Sequence, residues 1–151
     1  RGARWAEFDE AGCVWIIPAS RMKARREHRV PLSELALDVL HHRKSVCRSA
    51  VSEALVFDSD MRPGVPLSDA TLAAVLKRMG REETVHGFRS SFRDWAAERT
   101  SFPREVAEQA LAHAIGDKVE AAYRRGDLFE KRRALMLEWA AFLTARRPDQ
   151  D

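Results

Sequence analysis

The feature that most constrains this chain is a change in hydrophobic period near residue 32. Before it, apolar residues come in short β-branched and aromatic runs. After it, they recur at three- and four-residue intervals, the spacing of one helix face. Val14-Trp15-Ile16-Ile17-Pro18 and His28-Arg29-Val30-Pro31-Leu32 read as strands. Glu10-Ala11-Gly12 reads as a turn after the aromatic segment Trp5 to Asp9. The basic stretch Arg21 to Arg26 then becomes the tip of a hairpin. The expected class is α+β, mainly α, with a small three-stranded antiparallel sheet at the N-terminal end.

Beyond the sheet, Ser33 can cap a helix reaching about Arg48, with Leu35, Ala36, Val39 and Leu40 on one face. Leu55-Val56-Phe57 is a short extended piece, and residues 58–66, with Pro63, Gly64 and Pro66, read as a loop. Ser68 caps a helix carrying Leu72, Val75, Leu76 and Met79, which Gly80 stops. The next helix runs from His86 to about Glu98 on Phe88, Phe92 and Trp95. Pro103 opens another that ends near His113. Gly116 breaks the chain, and a short helix holds Val119, Ala122 and Tyr123. After Gly126 a last helix runs to about Arg146, with Leu135, Trp139, Phe142 and Leu143 at helical spacing. That apolar face can pack on its own core or reach a neighbouring protomer.

A length of 151 residues allows one domain with a real core. The expected domain is 1–146, with 147–151 a frayed tail. No apolar run approaches the ~20 residues of a membrane span. Cys13 and Cys47 form no metal or disulfide pattern and fit a reducing cytoplasm. The start at Arg1-Gly2-Ala3-Arg4 has neither an initiator Met nor a signal region and reads as a cut end within a longer protein.

The net charge is +3, and its distribution matters more than its size. Arg21, Lys23, Arg25, Arg26 and Arg29 form one cluster; Arg124, Arg125, Lys131, Arg132 and Arg133 form another. Such clusters suit a polyanion, or are simply a solvated surface.

Tyr123 is the only tyrosine, followed by Arg124 and Arg125. A phenol is a poor nucleophile unless its proton is removed or cations stabilise the phenolate; alone, it reads equally as a packed aromatic. His86 and Arg89 lie three apart at a helix start, so they can face one ligand there. A guanidinium forks around two phosphate oxygens, an imidazole bonds a third, and the helix end adds positive potential. The alternative is a capping histidine and a surface arginine. His113, at a helix end, reads either as a partner of the helix dipole or as another phosphate donor. Lys23, at the hairpin tip, could protonate a leaving oxygen or be one of several solvated cations. His28, His41, His42 and the cysteines give no metal-binding spacing.

Taken in order, a basic hairpin lysine, His-x-x-Arg, Leu-x-His and a tyrosine ten residues on resemble the catalytic domain of tyrosine recombinases. The nearest branch is the integrases of temperate phages and genomic islands. The resemblance runs from Ala3-Arg4-Trp5-Ala6-Glu7-Phe8-Asp9 through His86-Gly87-Phe88-Arg89 and Leu111-Ala112-His113 to Ala122-Tyr123-Arg124-Arg125 and Met136-Leu137-Glu138-Trp139-Ala140. It implies Tyr123 as nucleophile and Arg89 as the second arginine of a phosphate clamp. It also implies that His86 and His113 bind the scissile phosphate, and that Lys23 is general acid for the 5′-hydroxyl. Arg21, Arg25, Arg26, Arg124 and Arg125 become candidate DNA-backbone contacts. The implied reaction is site-specific cutting and rejoining through a 3′-phosphotyrosyl intermediate, without metal or ATP. Implied partners are double-stranded DNA attachment sites and further protomers, as a tetramer on DNA, in a cytoplasmic, nucleoid-associated protein. A non-catalytic DNA-binding module and a type IB topoisomerase-like enzyme are the alternatives. One departure stands out: the family's first catalytic arginine lies in Arg-x-x-Glu, whereas Arg1 is followed by Arg4 in the acid's place. The expected clamp arginine therefore lies upstream, and the chain tested alone is expected to be nearly inactive.

Overall fold

The structure, a computed structural model, describes residues 1–113 and 126–145. Its N-terminal part is built on three short strands, β1 (Phe8–Asp9), β2 (Val14–Ile17) and β3 (His28–Pro31), in the order β1-β2-β3. All pairs are antiparallel, with Trp15 opposite both Phe8 and Val30, and Ile17 opposite His28. The β1–β2 turn requires Gly12: a Cβ there would lie 2.4 Å from Asp9 Oδ2, because that carboxylate accepts from Gly12 N. Helix α1 (Glu34–Val46) follows, with Ser33 Oγ accepting from Ala36 N at 3.3 Å, as the sequence predicts. Ala3, Trp5, Leu40 and Val56 form the core beneath them. Residues 54–56 bond in extended fashion to the N-terminal segment, through Trp5 N to Ala54 O and Val56 N to Ala3 O.

Residues 58–66 are not the expected loop. They form an antiparallel ribbon of β4 (Asp58–Ser59) and β5 (Arg62–Pro66), with a register irregularity at Asp58/Ser59. Every residue of β5 is exposed, so no apolar alternation marks it. Proline is tolerated because an exposed ribbon leaves edge positions with no ladder bond to make. Ser68 does not cap helix α2 (Ala70–Arg78) with its side chain; its hydroxyl pairs with Thr71 Oγ1 at 2.9 Å. Gly80, at φ +68, does end that helix.

The C-terminal part packs α3 (Gly87–Arg99), α4 (Arg104–Ala110) and α5 (Phe129–Thr144) around Phe92, Trp95, Val106, Ala107 and Leu135. Trp139 stands edge-on to Phe92 at 5.4 Å, placing it in this core, while Leu143 is exposed. The result is a mixed α/β protein with a small antiparallel sheet. The second ribbon is additional to the expected three strands.

The two parts meet where α5 crosses β3. Arg132 is 1% exposed yet fully partnered: Nε donates to Asp127 O at 2.7 Å, Nη1 to Arg29 O at 2.5 Å and Nη2 to Asp127 Oδ2 at 2.9 Å. Arg29 forks onto both oxygens of Asp127 at 3.0 Å and lies over the Phe129 ring. Arg29 and Arg132, each read as part of a polyanion-binding cluster, are therefore structural. The helical period could have shown this for Arg132, which shares its face with Leu135, Met136 and Trp139.

Candidate functional site

The candidate site lies where the start of α3 meets the end of α4. Helix α3 is opened by Thr84, whose Oγ1 accepts from Gly87 N at 3.0 Å. His86 precedes Gly87 in helical geometry, is exposed and makes no capping bond with its side chain. One turn on, Arg89 is half-buried and reaches across to α4. Its Nε donates to His113 Nε2 at 3.3 Å, and an Nη2 hydrogen bonds the carbonyl of Leu111.

His113 is placed by the way α4 stops. Ala112 takes the left-handed conformation, φ +51, Ala112 N bonds Gln109 O and His113 N bonds Glu108 O. This is the paired-bond arrangement of a Schellman turn, with alanine where glycine is usual. It folds His113 back over Glu108, whose Oε2 lies 2.5 Å from His113 Nδ1. Glu108 Oε1 also meets Arg93 Nε at 3.0 Å and Arg104 Nε at 3.6 Å. The hydrogen bond with His113 is the main reason the Glu108 carboxyl is held below its usual range; burial opposes it, and Arg93 and Arg104 reinforce it. Glu108 and Arg93 were not among the expected site residues. Without a glycine at 112, the sequence carries no sign that the chain turns back onto Glu108.

His28 is also part of this neighbourhood. Burial lowers its pKa, and the positive charges of Arg132 and Arg89 lower it further, against the hydrogen bond to the Ala110 backbone and the charge of Asp127. It is thus a neutral side chain between the sheet and the helical part at neutral pH.

The structure joins Arg89 directly to His113 and sets His86 at the head of the same helix. Lys23 lies exposed in the β2–β3 connection; among the described residues no hydrogen bond or ion pair joins it to Arg89 or His113. Arg25 and Arg26 are exposed beside it, with Arg25 at φ +53. Arg21 is engaged instead: Nη1 meets Glu7 Oε1 at 2.7 Å and bonds Gly2 O. Glu7 is itself held by Trp15 Nε1 at 2.9 Å. Tyr123, Arg124 and Arg125, with the short helix expected around Tyr123, lie outside the described residues.

Arg89 differs in its partners from the other described arginines that are not exposed, Arg43, Arg132 and Arg133, each of which pairs with a carboxylate. Its own partners are a neutral ring nitrogen and a carbonyl; among the described residues no carboxylate pairs with it. A half-buried cation without a direct counterion, at the start of a helix, is chemically prepared for an anion.

Comparison with known proteins gives the family. The model of the phage integrase family matches residues 1–128. Over 145 residues the chain is 39% identical to prophage integrase IntA of Escherichia coli (strain K12), an alignment covering 95% of this chain and 34% of that protein. It is 31% identical to the integrase of Enterobacteria phage P4 over 97% of this chain and 37% of the other. It is 33% identical to the integrase of Shigella phage Sf6, over 95% and 37%. The chain therefore spans little more than a third of the length of these curated relatives. No solved structure matches it. On the family match and these relatives, the chain belongs to the phage integrase family.

Proposed function

We propose that this chain is the catalytic part of a site-specific DNA recombinase, which cuts and rejoins strands at attachment sites to integrate or excise mobile DNA. The observation that carries the reading is Arg89, half-buried, touching His113 and lacking a carboxylate partner among the described residues. A scissile phosphate supplies the missing anion. Arg89 would fork onto the non-bridging oxygens, with His86 and His113 as further donors to the same oxygens. Tyr123 Oη would attack phosphorus as its proton passes to solvent, forming a 3′-phosphotyrosyl link as the bond to the 5′-oxygen breaks, and Lys23 would protonate that oxygen. One phosphodiester replaces another of similar energy, so the join reverses without external fuel. Negative charge grows on the phosphate in the transition state, and fixed cations stabilise it there more than in the ground state.

Lys23, Arg25 and Arg26 extend the basic surface along the hairpin and would follow the DNA backbone, as would Arg124 and Arg125. Arg21, tied to Glu7, would help shape the hairpin, with any phosphate contact secondary. The partners in this reading are double-stranded DNA and further protomers assembled as a tetramer on it. The test uses the longer protein to which we assign this domain and a DNA substrate nicked beside the cleavage point. A covalent protein–DNA adduct should appear on a denaturing gel and vanish with Tyr123→Phe. An adduct surviving that change would overturn the nucleophile; binding with no adduct on any cognate site would favour a non-catalytic DNA-binding module.

A further inference from the structure

We propose that Glu108 is a positioning residue of this site: it fixes the protonation pattern of His113 and supplies the countercharge that lets that imidazole stand protonated beside Arg89. The inference rests on the strand-transfer reading above and gives it a residue outside the expected set.

The geometry starts from what each neighbour can do. A guanidinium only donates, so His113 Nε2, 3.3 Å from Arg89 Nε, presents a lone pair. An ionised carboxylate only accepts, so His113 Nδ1, 2.5 Å from Glu108 Oε2, carries the proton. Glu108 is kept ionised by the same hydrogen bond together with Arg93 and Arg104. The two unambiguous neighbours leave one tautomer, proton on Nδ1.

A consequence follows for phosphate binding. With the Nδ1 proton held by Glu108, Nε2 can donate to a phosphate oxygen only if the ring takes a second proton. The groups facing the ring are Arg89 from α3 and Glu108 from α4, with Arg93 and Arg104 behind the carboxylate and His28 on β3 near Arg89. His28 is held neutral, so Glu108 is the negative charge in this set. Without it, an imidazolium would face Arg89 uncompensated. The helix end builds the pair twice, since His113 N also bonds Glu108 O at 2.9 Å. The logic is that of a carboxylate orienting a catalytic histidine and stabilising its cation.

Two variants separate the orienting role from the charge. Glu108→Ala removes both; Glu108→Gln keeps an acceptor for Nδ1–H but no charge. In nitrogen-15 spectra of this chain at alkaline pH, His113 should show a protonated Nδ1 and a bare Nε2. Glu108→Ala should release the ring to mixed tautomers, and Glu108→Gln should retain the wild-type pattern. In the longer protein, adduct formation should fall roughly 10–100-fold in both variants while DNA affinity stays within about twofold. Glu108→Gln thus restores the tautomer and not the rate, a split that a merely structural role does not produce. Unchanged ring-nitrogen shifts in Glu108→Ala, or wild-type cleavage by Glu108→Gln, would overturn the proposal. Should Glu108→Ala fail to fold, Glu108→Gln decides it by rate. An adduct persisting in Tyr123→Phe breaks the strand-transfer reading alone, because the nitrogen spectra do not depend on it.

Discussion

Arg89 and Arg132 are the same side chain in two settings, one on α3 and one on α5. Arg132 is enclosed and saturated, with every guanidinium nitrogen bonded to Asp127 or Arg29. Arg89 is half-buried, bonded to a carbonyl and an imidazole, and Glu108 is linked to it through His113. Burying a cation is tolerable when its charge is paired and each nitrogen is bonded, and Arg132 thereby fastens α5 to the sheet. A cation meant for a ligand must keep part of its charge uncompensated. The distribution of partners, more than exposure, separates the structural arginine from the one we propose to be functional.

The sharpest break in this contrast is Arg89→Ala. Removing a preorganised donor from a charge-stabilising site typically costs ~10²–10³ in rate. Adduct formation in the longer protein should fall by that much, while the melting temperature of this chain moves little, because no acid is left without a partner. A variant that unfolds would place Arg89 with Arg132 as a structural residue.

Arg132→Ala should do the reverse. It strands two acceptors and empties a buried volume; breaking a buried ion pair usually costs 3–5 kcal/mol. Asp127 is partly exposed and keeps Arg29, so the lower end, about 3 kcal/mol, is expected in chemical denaturation. A loss under about 1 kcal/mol would mean the cluster is not what joins the sheet to the helices.

Acid should act on both clusters, and its sign follows from the shifts. Burial raises the Asp127 carboxyl, but the Arg29 hydrogen bond and the charges of Arg132 and Arg29 outweigh it, and the net shift is downward. Glu108 is lowered as well. A carboxyl with a lowered folded pKa contributes stability above its unfolded value and loses it as pH falls through the folded one. His28, lowered from 6.5, likewise favours folding above that value, and its contribution fades as pH drops below it. Melting temperature against pH should therefore decline in two stages, first below about 6.5 and then below the usual carboxylate range. His28→Gln should flatten the first stage and Asp127→Asn the second. A flat profile down to the carboxylate range would remove His28 from the neutral, half-buried role assigned to it.

The contrast also explains what could be read from the sequence. Strands β2 and β3, the Ser33 cap and the positions of helices α1, α3 and α5 follow from period and capping, but not every expected face is buried: Leu35 and Val39 of α1, Phe88 of α3 and Phe142 of α5 are exposed, and α1 buries Leu40. His86 and Arg89 stand out because their types, three apart at a helix start, suit a phosphate, and His113 because it sits at a helix end. Strand β5 of the second ribbon is exposed throughout, so no apolar alternation marks it. Arg132 lies on the apolar face of its helix, but its place in a basic run points to the surface. Glu108 required a left-handed turn that alanine seldom makes, so its contact with His113 is a product of tertiary geometry.

That turn supports the smallest expected effect and a last comparison. Ala112 and Leu128 are both left-handed non-glycine residues, φ +51 and +50, on either side of residues 114–125. Such a conformation costs a side chain roughly 1–2 kcal/mol, part of which glycine returns as lost chain entropy. Ala112 is exposed and packs on nothing in the core, so Ala112→Gly should stabilise the chain by about 0.5–1 kcal/mol in denaturant melts. Leu128 packs against the helical core, so Leu128→Gly should destabilise it despite the same backbone relief. If Ala112→Gly gave no gain, the left-handed turn that carries His113 back to Glu108 would be in question, and with it the placement of both residues.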